Sequence, residues 1–174
     1  MIICENIKDI ERIYLLMMQA LDVKHINPFL QSAISVIEMT TQTKLSVGKP
    51  TIARLEFPDD TFILQVGVTG VLKGQVLLVM SDSNAKQMAS KMMMGMPVET
   101  LDEMACSALG ELSNMIMGNA ATVFSTQGIL MDITPPISLH GKNLKLQIDI
   151  QALKIPMMDG ANEIISLYLC VTKE

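Results

Sequence analysis

Across residues 107–118, SALGELSNMIMG, the chain sets an acid, an amide and two small residues at spacings that coincide on a helix. At about 100° per residue, Ser107, Glu111, Asn114 and Gly118 fall inside a fan of roughly 60°. Glu111 and Asn114, three apart, then point outward together, one helical step from each other. The chemistry of such a pair is limited and definite. The carboxylate can meet a cation, and the carboxamide offers a water both a donor and an acceptor without titrating. Ser107, Gly118 and Ala121 flank the pair with little bulk, so another molecule can come close. Gly118 costs about 1 kcal/mol relative to Ala in mid-helix, which hints at such an approach. By spacing alone, however, a Glu and an Asn on a helix surface are more often a solvated face than a site.

Other chemistries find little support. Ser107 and Ser113 have no nearby His to activate them, and no phosphate-cradling G-x-x-x-x-G-K-[ST] loop occurs. Cys4, Cys106 and Cys170 are scattered without a C-x-x-C, which fits a reducing cytosol and argues against disulfides or zinc. His25 and His140 stand isolated and are expected to be structural. A formal net charge of −5, no basic run and only 3% aromatic residues make nucleic acid a poor partner. No apolar stretch approaches the roughly 18 residues of a membrane span, and the first twenty or so residues lack a signal-peptide pattern. At 174 residues the chain is long enough for a real core, and with 49% hydrophobic residues, 16 Met and no Trp that core must be built from Met, Leu, Ile and Val. The run Lys91-Met92-Met93-Met94-Gly95-Met96 is read as packing at a helix end rather than as an adaptable binding surface.

The elements that must position the pair can be outlined from periodicity. On the far side of the helix that carries Glu111, residues Ala105, Leu109, Leu112, Ile116 and Val123 form an apolar face wide enough to lie on a sheet. That helix follows residues 99–102 and fades near Gln127-Gly128. Asn27-Pro28 reads as the start of an earlier helix, Asn as cap and Pro at its first position, running to about Thr41. Strands are expected over 45–57, 62–67 and 71–80, with turns at Pro58-Asp59-Asp60 and Thr69-Gly70. Ser81-Asp82-Ser83 caps a helix that ends by Gly95 and Pro97. Residues 144–150 alternate as a one-sided strand, and Asp159-Gly160 turns into a last strand over 163–171. A helix followed by strands thus occurs twice, and helices on one antiparallel sheet would make a two-layer α+β arrangement.

Residues 111–120, ELSNMIMGNA, resemble the E-x-x-N helix of the CheC/CheX/FliY phosphatases, which remove the phosphoryl group from the phospho-aspartate of the chemotaxis response regulator CheY. Ser107, four residues before the acid, and Pro135-Pro136, about twenty beyond the amide, meet the wider pattern. Residues 23–29, VKHINPF, resemble the opening of the CheX branch, and Gly67-Val68-Thr69-Gly70 with Gly74 resembles the family's β-hairpin region. The likeness spans residues 22–173, so the chain divides into an N-terminal extension, 1–21, and one CheX-like domain, 22–174. Ile3, Ile7, Ile10 and Tyr14 in the extension recur at helical spacing, which admits a short extra helix there, while Met17 or Met18 would serve equally as the natural start.

The resemblance implies a CheC-like α+β fold with two long helices packed on an antiparallel sheet, a pseudo-duplicated helix-plus-strands unit. Gln31 and Ile34 stand where the first repeat would carry an acid and an amide, so there is one E-x-x-N, as in CheX, where CheC typically has two. It implies that Asn114 holds a water in line with the phosphorus while Glu111 pairs with the active-site Lys of the receiver, Ser107 and Gly118 facing that partner. On this reading no cofactor or metal is bound by the chain itself, and Mg²⁺ sits on the phosphorylated CheY-like receiver. The resemblance further implies a homodimer with C-terminal strand exchange, for which 163–171, apolar on one face and nearly uncharged, would be the edge strand. CheD, which CheC-like proteins bind, is a further implied partner. The alternative is a non-catalytic module that binds a receiver or CheD; the retention of both Glu111 and Asn114 favours catalysis.

Overall fold

Strands β4 (Thr61–Gly70) and β5 (Leu72–Ser81) form a long antiparallel hairpin, and their side chains alternate between two apolar faces. Phe62, Leu64, Val66, Val76, Leu78 and Met80 point to one face, Ile63, Leu77 and Val79 to the other. The computed structural model describes residues 23–173. The expected extension 1–21, with its helical spacing, lies outside them.

The hairpin extends on both sides into an eight-stranded sheet. Strand β10 (Asn162–Lys173) pairs antiparallel with β5, and β9 (Ala152–Asp159) with β10. Beyond β9 lie the short β1 (Ser46–Val47) and β2 (Thr51–Ala53); beyond β4 lie β6 (Met131–Ile133) and β7 (Ile137–Gly141). Gly74 shows why the ladder tolerates no side chain at one point. Its φ is 140°, and a Cβ there would sit 2.0 Å from the Cys170 carbonyl oxygen.

Among the described residues three helices cover one face: α1 (Val23–Thr41), α2 (Asp82–Met92) and α3 (Glu103–Thr126). They share a single large core with the inward residues of β4, β5, β9 and β10. The two long helices, α1 and α3, meet at Phe29 and Phe124, whose rings stand edge-on with centroids 5.0 Å apart. Helix α2 is tied to the sheet at its start. Ser81 caps it by accepting from the Asn84 N–H, and the Asn84 amide donates to the carbonyls of Glu163 and Ile164 at 3.0 Å each. The chain is thus an α+β two-layer structure, as expected. Among the described residues no helix is long and apolar enough to cross a membrane.

Four sequence expectations are corrected. Helix α1 begins before Asn27, with Pro28 inside it; a proline near the start removes one backbone donor, so the preceding turn can still form. The segment 45–57 is three short pieces, the last being β3 (Glu56–Phe57). In 144–150 only β8 (Leu144–Lys145) is a strand, paired with β3. The alternation there reports facing, since Leu144, Leu146 and Ile148 cover a second, smaller core around Phe57, Ile63 and Tyr168 on the back of the sheet. Finally, the last strand is no edge: β10 lies between β9 and β5, both of its sides hydrogen-bonded.

Candidate functional site

Helix α3 positions the expected pair. Asp102 caps its start, the carboxylate accepting from the Ala105 N–H at 2.9 Å, and the helix then runs unbroken through residue 126. Its inner face is fully buried at Ala105, Leu109, Leu112, Ile116, Met117, Ala120 and Phe124. Val123, expected on that face, is half-buried, and Phe124 takes its place because the buried stripe continues by fours from Ile116. Ser113 is wholly buried, which removes it from any surface chemistry.

On the outer face Ser107, Glu111 and Asn114 are exposed and Gly118 is partly so. The stripe read from the sequence is therefore assembled as expected. Among the described residues no hydrogen bond or ion pair ties the Glu111 or Asn114 side chain down. Over Gly118 there is open space, with nothing among the described residues within 4 Å of where a Cβ would stand. Internal packing thus gives no reason for a glycine there. Pro136, from the expected Pro135-Pro136, rests on α3: its Cγ is 3.9 Å from the Cβ position of Gly110, next to Glu111. The loop that carries it is pinned to β4, Thr134 Oγ1 accepting from the Gly67 N–H at 2.8 Å.

Cysteine chemistry is disfavoured next to the stripe. Burial, and then the charge of Asp102, pushes the Cys106 thiol up, and burial raises Cys170 to about 11. The pair itself stands on a helix surface, so any reacting group must be brought by a partner.

Two features were missed in the sequence. Met94, Met96 and Met104 are exposed and line a hollow that reaches Ser107 and Glu111, so the methionine run is packing only at Met92 and Met93. His140, isolated in sequence, is not isolated in space. Its Nε2 lies 3.3 Å from Asp60 and 3.1 Å from Asp82, while Lys86 holds the other oxygen of Asp82 at 2.7 Å. Hydrogen bonding to Lys86 is the largest of the effects that hold the Asp82 carboxyl below its usual range. Asp60, Asp82 and His140 are of types that could together hold a metal ion. Lys86 already neutralises part of their charge, and the group reads as an ion-pair clasp between β7, the β3–β4 turn and α2.

The family model described as chemotaxis phosphatase CheX matches residues 62–158. The CheY-P phosphatase CheX of Thermotoga maritima is 33% identical over 152 residues, covering 87% of this chain and 97% of that protein. A CheC-like superfamily protein from Shewanella sp. PV-4 superposes with a TM-score of 0.73 at 26% identity, covering 87% of this chain and 99% of the other. A CheX–CheY–BeF₃–Mg²⁺ complex from Borrelia burgdorferi gives 0.72 at 27% identity, with 85% and 97% covered.

Proposed function

The chain belongs to the CheX family of chemotaxis phosphatases, and from that premise we propose that it hydrolyses the phospho-aspartate of a CheY-like receiver through Glu111 and Asn114. A phospho-aspartate is an acyl phosphate on another protein, with Mg²⁺ and a Lys beside it on that protein. The receiver thus brings most of the electrostatics, and what remains is to hold a water in line with the phosphorus. The Asn114 carboxamide suits this task, since its carbonyl accepts from the water and the group neither titrates nor takes up the phosphoryl group. Glu111 pairs with the receiver's Lys and orients the complex; its charge need not act as a base. Water attacks phosphorus, the P–O bond to the aspartyl carboxyl breaks, and inorganic phosphate and the free carboxylate leave. Ser107 and Gly118 leave room for the receiver surface.

The observation that carries this reading is an exposed acid–amide pair on a rigid helix with open space beside it. It is tested with a receiver labelled on its phosphoryl group. The label is expected to appear as inorganic phosphate at an accelerated rate and never on this chain. A labelled chain would mean transfer to a side chain such as Ser107 and would contradict water attack.

A further inference from the structure

Beside the stripe lies an apolar surface that neither the core nor the water-positioning step uses. The turn after α2 carries Met94 and Met96, and Met104 stands across from it in the first turn of α3. With Ser107 and Glu111 they line an open hollow of about 1030 Å³. Met94 is 99% exposed, Met104 61% and Met96 54%. A cluster of large apolar side chains left in water is the usual mark of a surface that another protein covers.

The turn is held firmly. Met93 N–H donates to the carbonyls of Ala89 and Ser90, Gly95 N–H to Ser90 at 2.8 Å, and Met96 N–H to Met93 at 3.2 Å. Met94 itself has a φ of 58°, a left-handed conformation that ordinary residues avoid, and its side chain stands in water. The backbone is thus fixed while the unbranched side chains can adapt to what meets them. Asp102, Glu103 and Glu111 give the hollow an acidic lining. Lys91, the nearest cation in sequence, is turned to Thr43, whose Oγ1 accepts from its ammonium at 2.6 Å.

We propose that this methionine hollow is the docking surface for the receiver, seating an apolar side chain bordered by basic ones while Glu111 and Asn114 enter the phosphorylation site. The inference rests on the phosphatase reading above. Continuity favours the receiver as occupant: Ser107 and Glu111 belong to both the stripe and the hollow, so a protein covering one reaches the other. The acidic lining favours a basic border on that protein.

The test uses the full chain and the organism's own CheY-type receiver, loaded with beryllofluoride and Mg²⁺ for binding and phosphorylated for turnover. Met94→Glu with Met104→Glu should weaken binding and raise KM by about tenfold or more, with kcat within about twofold. Met94→Ser with Met104→Ser should show the same split, more weakly, without added charge. Asn114→Ala should do the reverse, keeping affinity and losing kcat. Unchanged affinity and KM in the methionine variants would overturn the proposal, and a halved particle mass alongside would assign the hollow to a second copy of this chain. Wild type that binds without turnover removes the phosphatase reading, and the variants' affinities still decide the hollow. Wild type that does not bind overturns both.

Discussion

Asn114 and Glu111 sit one helical step apart, and their proposed tasks separate under substitution. Asn114→Ala keeps the docking charge and removes the group that holds water, so kcat should fall by roughly 10²-fold or more with KM little changed. Glu111→Ala keeps the water-holding amide and removes the anchor, so KM should rise as well; steady-state kinetics on a phosphorylated receiver separates the two. Gly118 gives a prediction of opposite sign for stability and activity. A Cβ there meets nothing among the described residues, so Gly118→Ala should stabilise by about 0.5–1 kcal/mol, raising Tm by about 1–4 °C. If the receiver approaches as closely as proposed, the same variant should lower kcat/KM. A variant both more stable and fully active would show that no partner comes close at that position. At this scale the sequence was highly legible, because an i, i+3 pair on a helix depends only on helix geometry. The methionines were not, since Met92 and Met94 differ only by where the helix ends, and the left-handed turn at Met94 decides which of them reaches water.

Helix α3 works as a beam whose buried stripe fixes the outward direction of the pair. Leu112, wholly buried between Glu111 and Ser113, should cost about 2–5 kcal/mol as Leu112→Ala, lowering the denaturation midpoint. The Asp82 clasp makes a pH prediction. Its carboxyl is held below the usual range when folded, chiefly by Lys86, with His140 contributing. Its contribution is therefore full above the ordinary carboxylate value near ~4 and is lost as pH falls through the lower folded value. Asp82→Asn should remove that part of the acid-side loss, read as a shallower fall in Tm with decreasing pH. Capping and periodicity made α2 and α3 readable, since Ser81 and Asp102 are local signals. Strand pairing was less so. Residues 144–150 alternate because they cover a small core, not because they pair along their length, and alternation alone does not distinguish the two. Nor does the apolar, uncharged run of β10 say whether its edges are free; β9, which closes one of them, was not foreseen from its sequence.

For the whole molecule, the central position of β10 changes how self-association would proceed. The homodimer that the sequence resemblance implies cannot add a strand to β10 while that strand is bonded on both sides, so the outer strands β1, β2, β6 and β7 are the candidates in this arrangement. Light scattering at micromolar concentration should give twice the chain mass, and a chain mass alone would count against the dimer. The absence of a second E-x-x-N on α1, where Gln31 and Ile34 stand, sets the expected stoichiometry at one receiver per chain. The most direct measurement is the decay of a phosphorylated CheY-type receiver with Mg²⁺, alone, with this protein, and with Asn114→Ala. Strong acceleration by the wild type, abolished in the variant, is the expected result. Acceleration that survives Asn114→Ala would leave a phosphatase whose water is held elsewhere and would contradict the role given to the pair.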